Sequence, residues 1–234
     1  MLVVSVTVFV ALGLWQLDRN VERSELDARI EARLEAPAVA LSGLVSTYGS
    51  DPAALELRRV LLTGTFLTDH EVIWQARTRS GISGHDVLTP LQTDEAVIIV
   101  DRGWVPIDVE GPPVVGALPP TGEVVVEGVI LKGQTRQGLG PIDPATGVLE
   151  RISRVDLARL SQQIPHELAP FYVQLTGQQP PQAGELPVAQ VEPTPGTGPS
   201  HLSYAVQWFI FAAVALVSYP ILLWRTSKRR GSAV

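Results

Sequence analysis

His201-Leu202-Ser203-Tyr204-Ala205-Val206-Gln207-Trp208 continues through Phe209-Ile210-Phe211-Ala212-Ala213-Val214-Ala215-Leu216-Val217 to Trp224, and Arg225-Thr226-Ser227-Lys228-Arg229-Arg230 follows. No residue from Leu202 to Trp224 is charged. At about 1.5 Å rise per residue such a helix is about 34 Å long, enough to cross a hydrocarbon core of about 30 Å. The stretch 201–224 therefore reads as a membrane span. The tail, 225–234, holds four cations and no acid. Cations are retained on the cytoplasmic side, which puts the carboxyl end inside and His201 at the outer mouth of the helix.

Outward from that span, the amino end gives its counterpart. Met1 to Leu17 is apolar and uncharged and gives way at Asp18-Arg19. As a helix it is about 25 Å long, a short first span running outward with Trp15 in the interfacial aromatic zone. The competing reading, a cleaved signal peptide, lacks a basic leader and a small-x-small cleavage site before Asp18. Both termini are then expected in the cytoplasm, with 18–199 outside. Arginine outnumbers lysine sixteen to two, a bias of GC-rich bacterial genomes, so the membrane expected is a bacterial cell membrane.

The 234 residues are 45% hydrophobic with a mean hydropathy of +0.19, which fits one modest domain between two anchors. All 24 acidic residues lie between Asp18 and Glu192, leaving that stretch at −10 while the tail carries +4. An acidic domain does not bind nucleic acid, which needs a basic face. No cysteine is present, and Met1 is the one methionine. Disulfides, covalent haem attachment, cysteine nucleophiles and thiolate or thioether copper sites are thereby excluded.

Leu26, Ile30 and Leu34 recur at fourfold spacing between Asp18 and Ala36 and stop before Pro37. This predicts a helix that either extends the first span or packs on its own domain. From Leu57 the texture changes to short runs rich in Val, Ile, Leu and Thr. Strands are expected at 57–66, 71–78, 85–91, 97–101, 123–131 and 171–176. The expected fold is a mostly antiparallel β domain of α+β type, rolled into a sandwich or barrel, flanked by the two spans. Ser153-x-x-Asp156 marks a helix start ended by Pro165. Residues 177–199, with six prolines and four glycines, read as an extended tether.

Catalytic signals are missing. The four histidines stand apart at His70, His85, His166 and His201, and there is no H-x-x-x-H, phosphate loop or G-x-S-x-G. The chain is expected not to be an enzyme and to hold no metal set of its own. His201 differs by position: a helix N-terminus disfavours imidazolium, so a neutral ring nitrogen is on offer at the membrane edge, suited to haem iron or, more plainly, to headgroups and water. Tyr204, Ala205, Trp208, Ala212 and Ala215 share its helical face, aromatic rings beside small residues that admit a helix or a flat ligand. Gln16 and Gln207 are amides within the spans and are expected to pair with each other or with a partner. Val100-Asp101-Arg102-Gly103-Trp104-Val105-Pro106 reads as a strand leading into a tight turn capped by Trp104, with Arg102 structural or a contact for a propionate or partner carboxylate.

Five segments, in order, resemble the Surfeit locus protein 1 family of cytochrome c oxidase assembly factors. They are Leu12-Gly13-Leu14-Trp15-Gln16-Leu17-Asp18-Arg19, Arg59-Val60-Leu61-Leu62-Thr63-Gly64-Thr65-Phe66, Gly84-His85-Asp86-Val87-Leu88-Thr89-Pro90-Leu91, Val100 to Pro106, and His201 to Trp208. Asp101 departs from the pattern, which has asparagine before Arg-Gly-Trp. The resemblance implies an assembly factor that assists haem A insertion into, or stabilisation of, subunit I of the oxidase. It implies a transient haem A contact at His201, flanked by Tyr204 and Trp208. Trp15, Gln16, Arg19, Gln207, Arg102 and Trp104 are then candidate contacts to the oxidase, to other respiratory subunits, or between helices. The alternative is a scaffold of the oxidase or a respiratory supercomplex that never touches haem.

Overall fold

The computed structural model describes residues 2–136, 138, 140–190 and 201–231, with the side chains of 201, 223–224 and 226–230 outside that description. Two compact units result, one of 1–31 with 194–234 and the other of 32–193.

The chain starts with α1 (Leu2–Glu35), a single helix through the whole apolar stretch and the charged stretch after it. Of the fourfold stripe, Leu34 is buried but Leu26 is 54% exposed. The helical reading of 18–36 therefore holds, and its last turn packs on the domain, where Arg33 Nη1 donates to the Glu56 carbonyl at 2.9 Å.

The domain follows as β1 (Val39–Ala40), α2 (Leu41–Tyr48), α3 (Pro52–Leu55), β2 (Arg59–Phe66), β3 (Val72–Arg79), β4 (Ile82–Gln92), β5 (Val97–Pro106), β6 (Glu123–Lys132), β7 (Arg151–Ile152), α4 (Leu157–Leu160) and β8 (Leu168–Gln179). The strand order is β1-β2-β6-β8-β5-β4-β3-β7, with a further β2–β4 pairing that closes β2, β6, β8, β5 and β4 into a ring. All six expected strands are present. The sheet is mixed: β1–β2, β3–β7 and β5–β8 run parallel and the other pairs antiparallel. Alternation along one strand does not encode the direction of its neighbour, so the parallel pairs were illegible.

Alternate positions fill the ring. Val60, Leu62 and Phe66 of β2 meet Ile98 and Val100 of β5, Val126 and Ile130 of β6, and Val173 of β8, under Leu41, Leu44 and Leu55 of α2 and α3. The other face of β5 and β8, Val97, Ile99 and Tyr172, packs with Val72, Trp74, Ile152, Val155 and Leu160. Strands buried on both faces explain the continuous apolar run Val97-Ile98-Ile99-Val100. Closure of the ring rests on two pairs, Thr65↔Gln92 and Phe66↔Leu91. A Cβ on Gly64 would collide with the Gln92 carbonyl, so glycine is required there.

Three expectations change. Val100 to Pro106 is no strand-to-turn transition, because β5 runs on to Pro106. Its register against β4 goes from Val87↔Gly103 to Leu88↔Asp101, leaving Arg102 as the extra residue of a bulge at which Gly103 takes φ 125°. The short helix α4 is capped by Asp156, whose Oδ1 accepts from Arg159 N at 3.1 Å, while Ser153 Oγ donates to Asp143 Oδ1 at 2.7 Å. The tether begins late: β8 reaches Gln179 and residues 180–190 lie on the domain as a strap, with Val188 and Trp104 exchanging backbone hydrogen bonds at 2.8 Å. Residues 191–199 of the expected tether lie outside the described residues.

The chain ends in α5 (His201–Gly231), which runs through Pro220. Both α1 and the stretch Leu202–Leu222 are long and apolar enough to cross a membrane. Within this unit Phe9 stacks on Trp208 with ring centroids 5.8 Å apart and tilts onto Phe211 at 6.0 Å. A Cβ on Gly13 would meet the Phe209 ring at 2.7 Å.

Candidate functional site

Each unit brings together some of the residues singled out from sequence. In the helix pair, Ala205 and Ala212 are buried, Trp208 is half-buried against Phe9, and Tyr204 is 48% exposed. The small-residue face thus packs within the pair, held by rings. His201 opens α5, but its side chain lies outside the described ones. Gln16 is half-buried and Gln207 exposed, and stacked rings are among the contacts of the seam. Trp15 is exposed, and Arg19 reaches Glu22 Oε2 at 2.8 Å along its own helix.

In the domain Arg102 follows Ile98 and Val100 on the inner face of β5, beside the bulge. Its side chain and that of Glu71 are both 0% exposed, with Arg102 Nη1 3.1 Å from Glu71 Oε2. Thr89 Oγ1 donates to the same carboxylate oxygen at 2.8 Å, and Val114 N donates to Glu71 Oε1 at 2.8 Å. Arg102 Nη2 donates to the Ala117 carbonyl and to Gln182 Oε1. Burial lowers the Arg102 pKa to about 10, with Glu71 opposing the shift, so the guanidinium remains charged at neutral pH. An arginine with no exposed atom offers nothing to a partner carboxylate on the surface, which corrects that expectation. Trp104 is likewise buried, its indole against Gly84.

Beside this pair lie two more buried carboxylates on adjacent strands. Asp86 Oδ2 accepts from Arg77 Nε at 2.7 Å, and Gln190 of the strap donates to Asp86 Oδ1. The Arg77 guanidinium also sits 3.9 Å over the Trp74 ring. Asp101 Oδ1 accepts from Gly103 N at 3.1 Å, holding the bulge. Burial raises the Asp86 pKa, countered by Arg77 and Gln190; it raises Asp101 well above the carboxylate range, with Asp86 adding to the effect. Desolvation lowers the pKa of buried His85, whose Nδ1 has no partner among the described residues.

Sequence reading had singled out Arg102 and Trp104 but missed Glu71, Thr89, Gln182 and Gln190. A signal existed: Asp86, Asp101 and Arg102 are charges inside otherwise apolar strands, and charges in such places are buried only when paired. Which residue pairs with which is decided by how β3, β4, β5 and the strap come together. Among the described residues no group of three or more His, Cys, Asp or Glu is placed to hold a metal.

Two long apolar helices that support a membrane protein, flanking a mixed sheet partly closed into a ring and holding a buried Arg102–Glu71 ion pair, define the class. The chain belongs to the SURF1 family, whose model matches residues 3–213, across the domain and into both helices. It is 29% identical to an uncharacterised SURF1-like protein of Mycobacterium tuberculosis, covering 96% of this chain and 83% of that one. A SURF1-like protein of Monosiga brevicollis is 30% identical over 94% of this chain and 85% of its own. One from Rickettsia felis is 26% identical over 93% of each. The resemblance carried by the five ordered segments is thus a family membership.

Proposed function

We propose that this protein is an assembly factor for a haem-copper cytochrome c oxidase, assisting the insertion of haem A into subunit I or the stabilisation of that subunit. The observation that carries the reading is the family match over residues 3–213, since the family is generally linked to cytochrome c oxidase assembly. In this reading the chain is not an enzyme. It sits in a bacterial cell membrane with both termini cytoplasmic and the domain outside, as the basic tail favours. The His201 imidazole is the transient haem A contact at the outer mouth of α5. Tyr204 and Trp208 stand on the same helix, the first exposed and the second partly so. Since the small residues of that face are packed within the pair, a flat ligand would meet the Tyr204 side.

The test is spectroscopic. The full chain purified from cells that make haem A is expected to show a Soret band, and His201→Ala to lose it. An unchanged band in the variant removes the ligand role. A second reading, a scaffold that docks on subunit I or other respiratory subunits without haem, is favoured by the inward turn of Arg102, which leaves that guanidinium unable to meet a propionate. Co-purification with the oxidase from a strain unable to make haem A separates the two, because a scaffold still binds there.

A further inference from the structure

Beside α2 and the start of β2 lies a half-open cavity of about 260 Å³ with apolar walls from Ala36, Pro37, Val39 and Leu44. Arg58, Arg59 and Tyr48 also wall it, and no acidic residue does, on a chain that carries 24 acids against 18 lysines and arginines. The two arginines differ. Arg59 is ion-paired, its Nη2 2.8 Å from Glu127 Oε1. Arg58 is half-buried and has no carboxylate partner among the described residues. Its Nε donates to the Ala54 carbonyl at 3.0 Å, and its Cζ sits 3.4 Å from the centre of the Tyr48 ring. Nη1 and Nη2 have no partner among the described residues and neither is buried, so solvent reaches both. A surface arginine ordinarily samples many rotamers. This one is held by a hydrogen bond and by a ring, and it is the guanidinium, not the stem, that rests on Tyr48, a wall of the cavity.

We propose that this cavity binds a small monocarboxylate with a short apolar chain, the carboxylate accepting from Arg58 Nη1 and Nη2 and the chain lying along Pro37, Val39 and Leu44. Charge selects the class. One guanidinium without a counter-charge matches one negative charge, whereas a dianionic phosphate would bring a second that Arg59, already paired with Glu127, does not offset. A cation would meet two guanidinium groups and no acid. Geometry selects the head group: with Nε spent on Ala54, the end-on pair Nη1 and Nη2 remains, a planar fork that matches the two oxygens of a carboxylate. Size sets the limit. The volume is below the about 300–1,000 Å³ of pockets that take drug-sized ligands, which leaves room for an acid of a few carbons. The cavity is open to water, so binding is weak. The site lies wholly within the unit 32–193 and does not depend on the oxidase reading.

The probe is butyrate, titrated against the full chain in detergent micelles with isotope-labelled valine and leucine methyl groups. The Val39 resonances are those lost in Val39→Ala. Butyrate is expected to shift them saturably at millimolar concentration, and butyramide, its neutral counterpart, to leave them in place. Arg58→Gln is expected to weaken butyrate by about tenfold or more, with the other methyl resonances retained. Gly43→Leu tests the cavity itself: Gly43 is a wall residue of α2, a Cβ there meets no atom within 4 Å, and the longer side chain fills the space while leaving the Arg58 guanidinium intact. It too is expected to abolish the shift. Should Arg58→Gln fail to fold, butyramide and Gly43→Leu decide between them. The proposal is overturned by the absence of a saturable shift, by butyramide acting like butyrate, or by an undiminished response in either variant, since binding that survives Gly43→Leu is to an arginine outside the cavity. Inorganic phosphate saturating the same resonances at lower concentration than butyrate overturns the choice of a carboxylate.

Discussion

In the helix pair the large apolar side chains face outward: Leu14, Val206 and Ile210 are about half exposed, while the buried positions are the small ones, Gly13, Ala205 and Ala212. In the domain the order is reversed. Ile98, Ile99 and Val100 are at most 1% exposed, and the same interior holds Glu71, Asp86, Asp101 and Arg102. The difference teaches that the two units were selected against different solvents. In lipid there is no gain from hiding leucine, so helices meet through small residues and stacked rings. In water the sheet hides its apolar strands, and the polar groups caught there are tolerated because Glu71, Arg102 and Asp86 are paired and Asp101 is held neutral and bonded to Gly103 N.

That contrast is broken most strongly at Glu71. Glu71→Ala leaves the Arg102 guanidinium buried beside a lost carboxylate, a type of change that costs about 3–5 kcal/mol. Denaturant unfolding followed by tryptophan fluorescence is expected to show the domain transition shifted by that amount, with helical circular dichroism of the spans retained at its midpoint. A shift below about 1 kcal/mol would mean the pair is not the keystone of the interior. Gly13→Leu tests the other unit. Its side chain would press on the Phe209 ring, and overpacking of this kind costs about 1–3 kcal/mol. Crosslinking between cysteines placed on the two helices should fall while the domain transition stays where it was; equal crosslinking would show that ring contact to be dispensable.

The smallest expected effect has the opposite sign and sharpens the comparison. Asp101 keeps its proton in the folded chain to higher pH than in the unfolded chain, where its pKa is about 3.9. Above about pH 4 the folded state therefore binds more protons than the unfolded one, and stability declines as pH rises toward the folded pKa. Asp101→Asn preserves an acceptor for Gly103 N and removes the titration. The variant is expected to flatten that decline and to exceed the parent in stability at neutral pH, the two converging below about pH 3. Asp86, raised in the same direction, leaves a residual slope. Parallel pH profiles for parent and variant would show that the Asp101 carboxyl is not the group responsible.

Length, apolar continuity and charge are local properties, so both helices, the six strands and the helical run after Asp18 were legible in the residues themselves, and five ordered motifs were enough to recognise the family. The residues that hold the domain together were not legible in that way. Arg102 was visible as an odd charge at the end of an apolar run, yet its partners come from 31 positions upstream at Glu71 and 80 downstream at Gln182. Alternation from Ile98 and Val100 puts its side chain on the inner face, but only the folded sheet brings those two partners to it. The strap shows the same limit, because prolines and glycines predicted an extended path but not that Val188 would pair with Trp104. Periodicity reports which side of an element is apolar; a pairing across the sheet is fixed by the summed fit of many distant contacts, and that sum exists only once the chain has closed on itself.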